Sequence, residues 1–437
     1  MISPQRRQEI IDALRRGTVP RRSLDAFAVA LEPFEEALDQ ELASVAGSAA
    51  VFKAVRGEYG SGKTFFARWL QERAKKTGFA TSEVQISETE TPLNRLETVY
   101  RRLIERLSTS DTPQGALRGI LDAWFYALEE DVLAEGGVAE TDTADLYRRT
   151  AELMEKRLAA INRHAPAFAA ALRAYRRARA DGDHATADGI LAWLSGEPNV
   201  GMRAKRYAGI TGSVDHFGAL RFLQGLLVIL RDSGFSGLLV VLDEVETLQR
   251  VRSDVREKSL NALRQLVDEI DAGRFPGLYL LITGTPAFFD GPQGAQRLAP
   301  LAQRLHVEFT PEPRFDNPRA VQIRLPAFDR ERLVRVGRKI RDLYAEHSPN
   351  RERIRTLAGA GYVADFATAV AGSLGDRVGI APRLFLKKLV DVLDRIDQFP
   401  DFDPRRDYSL KVTDSELTEV ERNARAAVCP DDIELEL

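Results

Sequence analysis

The sequence predicts an α/β protein: a parallel sheet flanked by helices, carrying a large helical insertion and followed by a C-terminal helical lid. Three observations carry that expectation. Apolar runs at 50–55, 237–242 and 278–283 are near-continuous, as strands buried on both faces must be. Stretches with apolar residues three and four apart separate them, the spacing of amphipathic helices. The long interval between the second and third strands is rich in Ala, Arg, Glu and Leu and holds no strand-like run. A surface loop tolerates such an insertion because closure entropy grows slowly with length.

Taken in order, residues 2–16 and 24–46 read as two amphipathic helices, with Gly17 and Pro20 between them, and form an N-terminal helical segment, 1–46. "AVFKAV" (50–55) is a strand that ends abruptly in "GEYGSGKT" (57–64), and "FFARWLQERAKK" then resumes a helical pattern. Residues 79–87 supply a second strand and close the first part of the core, 47–95. The insertion spans 96–218, and the core resumes over 219–326 with the strands at 237–242 and 278–283. A fifth strand is either 305–309 or 321–325, preceded by one helix over "GAQRLAPLAQRL" that sets Arg297 and Arg304 on a common face. From Asp329 the pattern is helical again, broken at Gly375 and Pro382, giving a lid over 327–400 and a tail over 401–437.

Composition narrows the function classes. In 437 residues, 65 acidic and 62 basic side chains leave a net charge of −3, so no bulk field draws the chain to nucleic acid and any such contact needs a local patch. The single cysteine, Cys429, has no partner for an intrachain disulfide, and the five histidines lack metal-ligand spacing. The charged N-terminal stretch is unlike a secretory leader, and no apolar run reaches the roughly 20 residues that cross a bilayer. The expectation is a cytoplasmic protein without a membrane partner.

Gly57, Glu58, Tyr59, Gly60, Ser61, Gly62, Lys63 and Thr64 match the pattern of glycine, four residues, glycine, lysine, then serine or threonine. Glycines let successive N–H groups turn inward around a polyphosphate, and the following helix, which opens with Phe65 behind the loop, adds its positive end. Lys63 can reach the β- and γ-phosphates, and the Thr64 hydroxyl can join the shell of a magnesium ion. "LLVVLDEVE" delivers Asp243 and Glu244 at the C-terminal end of an apolar strand, where open α/β sheets hold their ligands. Asp243 suits a metal and Glu244 suits the base that orients and deprotonates water. Thr283, ahead of Thr285, stands where the next strand ends and could contact the attacking water or the γ-phosphate. Arg304, ahead of Arg297, and Arg383, at a helix start in the lid, are candidates for stabilising the transferring phosphoryl group.

With these residues in hand, strand–"GEYGSGKT"–helix, "VVLDE", "LLITGTP", "QRL" and "GIAPRL" resemble the AAA+ P-loop ATPases, in the branch related to replication initiators. "IIDALRRGTVP", "FKAVRGEYGSGKTFFARWL" and "GLLVVLDEVETLQ" are closer still to the ATP-binding proteins of BREX phage-defence systems, the BrxC/BrxD group and its BrxD-like members. The resemblance covers most of 6–395. It implies an AAA+ fold that binds ATP and magnesium, with Walker A at Gly57 to Thr64, Walker B at Asp243 and catalytic Glu244. It also implies sensor 1 near Thr283, where threonine replaces the frequent asparagine, an arginine finger near Arg304 and sensor 2 at Arg383. An ATPase of this kind would self-associate, meet other defence proteins, and drive or switch a DNA-associated complex. The alternative is a nucleotide-gated scaffold with slow hydrolysis. Residues 401–437 are too few for the winged-helix domain that ends the initiator branch.

For DNA itself the insertion offers Arg173, Arg176, Arg177 and Arg179 around Tyr175, a stripe three and four apart on one helix face. Arg203, Lys205 and Arg206 near Tyr207 form a second cluster.

Overall fold

The computed structural model describes residues 2–416, apart from 138, 140, 347 and 373–381, and residue 422. Five strands, β1 (Val51–Arg56), β2 (Ala80–Gln85), β3 (Leu238–Asp243), β4 (Leu278–Gly284) and β5 (Gln322–Arg324), form one parallel sheet in the order β2-β3-β4-β1-β5. The 321–325 run is therefore the fifth strand, and 306–310 lies outside any strand. Strand alternation divides the core in two. Leu238, Val240 and Leu242 of β3 face one hydrophobic cluster, and Leu239 and Val241 face the other. That double burial is why these runs read as uninterrupted apolar sequence.

On one face of the sheet lie α4 (Leu96–Arg106), α10 (His216–Asp232), α11 (Ser253–Asp271) and α13 (Ala299–Leu305). Between α4 and α10 come α5 (Leu117–Glu135), α6 (Thr143–His164), α7 (Pro166–Ala180), α8 (His184–Leu194) and α9 (Met202–Ala208), whose apolar faces join the same cluster through Trp124, Phe168, Tyr175 and Trp193. On the other face lie α1 (Pro4–Arg15), α2 (Glu32–Ala46), α3 (Lys63–Lys76) and the C-terminal helices α14 (Arg330–Ala345), α15 (Arg351–Leu357), α16 (Ala360–Gly372) and α17 (Pro382–Gln398). α12 (Pro286–Asp290) follows β4, and the turn α18 (Pro404–Asp407) follows α17. Arg15 of α1 reaches Asp394 of α17 with two bonds of 2.8 Å, fastening the N-terminal helix to the C-terminal ones.

Two helices expected from periodicity are broken. The stretch 24–46 contains a 3-10 turn at Leu24–Ala26, and α2 begins only at Glu32, because Ala30 takes φ +59° and Pro33 opens the helix. Likewise "GAQRLAPLAQRL" divides into a 3-10 turn, Ala295–Arg297, and α13, with Leu298 extended ahead of Pro300. Arg297 and Arg304 therefore do not lie on one helix face: Arg297, in the 3-10 turn, donates to Ser253 Oγ at the start of α11 at 2.8 Å, and Arg304, in α13, pairs with Asp268 near the end of α11. The helix break expected at Gly375 lies outside the described residues. No described helix is long and apolar enough to cross a membrane.

Candidate functional site

The loop from Gly57 to Gly62 leaves the C-terminal end of β1 and turns into α3. Gly60 and Gly62 adopt φ +79° and +91°, a backbone that side chains disfavour. At Gly57 a Cβ would stand 2.3 Å from Ser61 Oγ, so any side chain there would force Ser61 out of its place. Gly62 precedes α3 without a side-chain cap, leaving the first N–H groups of the helix for an incoming anion. Ser61 Oγ is buried and has no hydrogen-bond partner among the described residues. An orphaned donor over a glycine cradle at a helix N-terminus fits a polyphosphate.

The acid strand meets this loop across the sheet. β4 separates β1 from β3, yet the ends of β1 and β3 converge: Thr64 Oγ1 donates to Asp243 Oδ2 at 2.9 Å. Thr283, at the end of β4, donates to the other oxygen, Asp243 Oδ1, and accepts from the Glu244 N–H at 3.2 Å. Thr283 therefore positions the two acids from behind rather than facing the open cleft. Burial raises the Asp243 carboxyl above the usual range, and the two threonine hydroxyls oppose that rise. Glu244 takes φ +62° at the strand end, and its Oε2 accepts from Gln85 Nε2 of β2 at 2.8 Å.

Lys63 folds back on the loop, donating to Gly57 O at 2.8 Å and Glu58 O at 3.2 Å, with Tyr59 beneath it. Glu246 Oε1 lies 3.9 Å from its ammonium, and the second oxygen, Oε2, is buried without a hydrogen-bond partner among the described residues. Burial pushes the Glu246 carboxyl up to about 7 and the Lys63 ammonium down, so the pair is driven toward neutrality.

A cavity of about 300 Å³ joins these groups. Its polar end is the loop with Asp243, Glu244 and Glu246, and Phe65 stands beside the loop. The other end is apolar, built from Val19, Phe27, Val29 and Leu31 of the N-terminal segment and from Phe328, Val336 and Leu386 toward the C-terminus. Phosphates suit the first end and a flat heterocycle the second. Arg383 lines the cavity and donates to Glu416 O at 2.7 Å; Arg332, which the sequence reading passed over, lines it too. Arg304 is outside this lining. Glu246 and Gln85 were also missed. Glu246 carried a faint signal as the third carboxylate of "DEVE", whereas Gln85 had none, since β2 meets β3 only in three dimensions.

No described group of three His, Cys, Asp or Glu side chains is arranged to hold a metal ion. The Thr64–Asp243 pair fits magnesium differently, as two oxygen ligands beside phosphates and water.

The insertion's arginines are largely engaged. Arg173 pairs with Glu155, Arg177 donates to Tyr207, Arg179 lies 3.7 Å from Asp122 and Arg203 pairs with Asp183 at 2.8 Å. Arg176 is buried over the Tyr147 ring. Lys205 and Arg206 have no ion pair among the described residues.

A family model described as BREX system ATP-binding protein BrxC/D matches residues 2–412. No curated protein matches the chain.

Proposed function

Since the chain belongs to the BREX-system ATP-binding BrxC/BrxD family, we propose that it is a P-loop ATPase of the AAA+ type that binds ATP with magnesium and serves phage defence. What supports this reading above all is the Thr64–Asp243 bond, which joins the phosphate-type loop to the acid strand across β4. Lys63, released from the Gly57 and Glu58 carbonyls, would engage the phosphates, and the N–H groups from Gly60 to Thr64 would cradle them. Thr64 and Asp243 would hold magnesium, which offsets phosphate charge when bound. Glu244, once free of Gln85, would accept the proton of the attacking water as the bond to the terminal phosphorus forms and the bridging P–O bond breaks, yielding ADP and phosphate. Thr283 would keep both acids in register, and Arg383 would contact the phosphates from the C-terminal side.

Lys63→Ala should abolish ATP binding in calorimetry. Glu244→Gln should bind ATP normally and lose turnover; normal turnover in that variant would sink the mechanism.

A second reading, a nucleotide-gated scaffold that turns over slowly, draws support from the engagement of both Lys63 and Glu244 elsewhere within the protein. Either reading admits self-association, in which Arg304, outside its own cavity, reaches a neighbour's. Mass in solution with and without a non-hydrolysable ATP analogue tests assembly. ATPase rate with and without duplex DNA separates the readings, because a motor is stimulated and a scaffold is not.

A further inference from the structure

A second cleft, of about 320 Å³, opens between the loop after α1, the later turns of α3 and the end of α4. Its walls bring together Arg6, Arg21, Arg22, Lys75 and Arg106, none of which has an ion pair among the described residues. The neighbouring cations Arg68 and Lys76 are already paired, with Glu83 and Asp25. The two acids in the lining, Glu72 and Glu83, offset this charge only in part, and each is also held by other partners. Glu83 accepts from Arg68 and Gln71, and Glu72 accepts from the Ser23 and Leu24 N–H groups at 2.7 and 2.8 Å. Burial, and then the charge of Arg22, lower the Lys75 ammonium below its usual range. In a chain of net charge −3, five cations without an ion pair among the described residues converge on one surface beside only two acids, while the arginines of the insertion are mostly neutralised by partners.

The rest of the lining says what kind of anion suits it. Ser110 and Gln114 add neutral donors, and no aromatic ring lines the cleft, so bases have nothing to stack on. The edge of β2 beneath it is occupied at Thr81 by the bridge to Ser108, with both N–H to O bonds at 2.8 Å, so a peptide could not pair along the start of this strand. Five cations drawn from α1, a loop, α3 and α4 exceed what one phosphate can contact and match a repeating one.

We infer that this cleft binds the sugar-phosphate backbone of duplex nucleic acid, with Arg6, Arg21, Arg22, Lys75 and Arg106 neutralising phosphates and no base being read. Five neutralised phosphates set a slope of about −4.5 for log affinity against log salt, so affinity falls roughly 500-fold between about 50 and 200 mM salt.

The test is fluorescence anisotropy of a labelled duplex of arbitrary sequence, titrated with the full chain without nucleotide across that salt range. The triple variant Arg22→Gln, Lys75→Gln, Arg106→Gln should reduce the slope by about three, while Arg173→Gln with Arg177→Gln leaves it unchanged. A circular-dichroism melt establishes that each variant folds. Should the triple variant not fold, Arg106→Gln alone, on the exposed end of α4, should reduce the slope by about one. Three outcomes overturn the inference: no duplex binding by the unaltered chain, an unchanged slope in the folded cleft variant, or competition by inorganic phosphate as effective as that by duplex at equal phosphate concentration. Because no nucleotide is present, failure here leaves the ATP reading untouched, and failure of the ATP reading leaves this one standing.

Discussion

Glu246 is the residue whose chemistry the fold alters most legibly. It sits 3.9 Å from Lys63, is 5% exposed, and burial lifts its carboxyl from 4.5 to about 7. An acid raised on folding binds its proton more readily in the folded chain, so the stability cost is absent below the unfolded value. It grows as pH rises, is complete above about 7, and is worth ~3 kcal/mol. The nucleotide-free protein should therefore lose stability as pH climbs from about 5 to 7. Asp243 is raised for the same first reason and slopes the same way, so the difference between variants, rather than the wild-type curve, isolates Glu246. Glu246→Gln should flatten the profile and gain ~1–3 kcal/mol above neutrality. Denaturant titrations at a series of pH values read this directly, and parallel curves for the two proteins would refute the placement of Glu246 as a buried carboxyl beside Lys63.

At the scale of elements, the C-terminal helices are set by how closely they approach. A Cβ on Gly337 of α14 would stand 2.7 Å from Phe385 Cζ and 2.8 Å from Val363 Cγ1, two fully buried side chains on α17 and α16. Gly337→Ala gains helix propensity of up to ~1 kcal/mol but overpacks at a cost of ~1–3 kcal/mol, so thermal unfolding should move to lower temperature. Gly119 of α5 meets nothing within 4 Å, and Gly119→Ala should shift unfolding upward by a few tenths to ~1 kcal/mol. Opposite signs for one chemical change at two helices test packing against propensity. The same contrast explains what the sequence disclosed. β1, β3 and β4 were legible because burial on both faces writes a near-continuous apolar run, and the loop at Gly57–Thr64 because its chemistry is local. The breaks at Ala30 and Leu298 were not, since periodicity continues across a single non-helical residue, although Pro33 and Pro300 mark each restart. Arg332 and the apolar wall from Val19 to Leu31 reach the cavity, and Gln85 reaches Glu244, only through contacts between distant segments, which no local pattern encodes.

For the whole molecule, the cavity is where separately encoded parts meet: beside the end of β3 and the start of α17, three walls come from the N-terminal segment, the loop after β1, and the segment that leads from β5 into α14. α1 is bound to α17 by Arg15 and Asp394, and a pair of 2.5 Å between buried Lys53 and partly buried Glu41, with Tyr279 donating to the same carboxylate, fastens α2 to β1 and β4. A nucleotide spanning the cavity would thus touch all three parts, and any ligand that binds only the folded chain adds about 2.7 kcal/mol at a hundredfold excess over its Kd. Since that energy acts through every wall the ligand touches, amide exchange should slow at 14–31, at 57–65 and at 325–336 together when a non-hydrolysable ATP analogue and magnesium are added. The helices from α5 to α9, which line no part of this cavity, should exchange at unchanged rates. Slowing confined to 57–65 would mean that phosphates bind without the apolar end receiving a base, and the three-walled site would have to be abandoned in favour of a loop that holds phosphate alone.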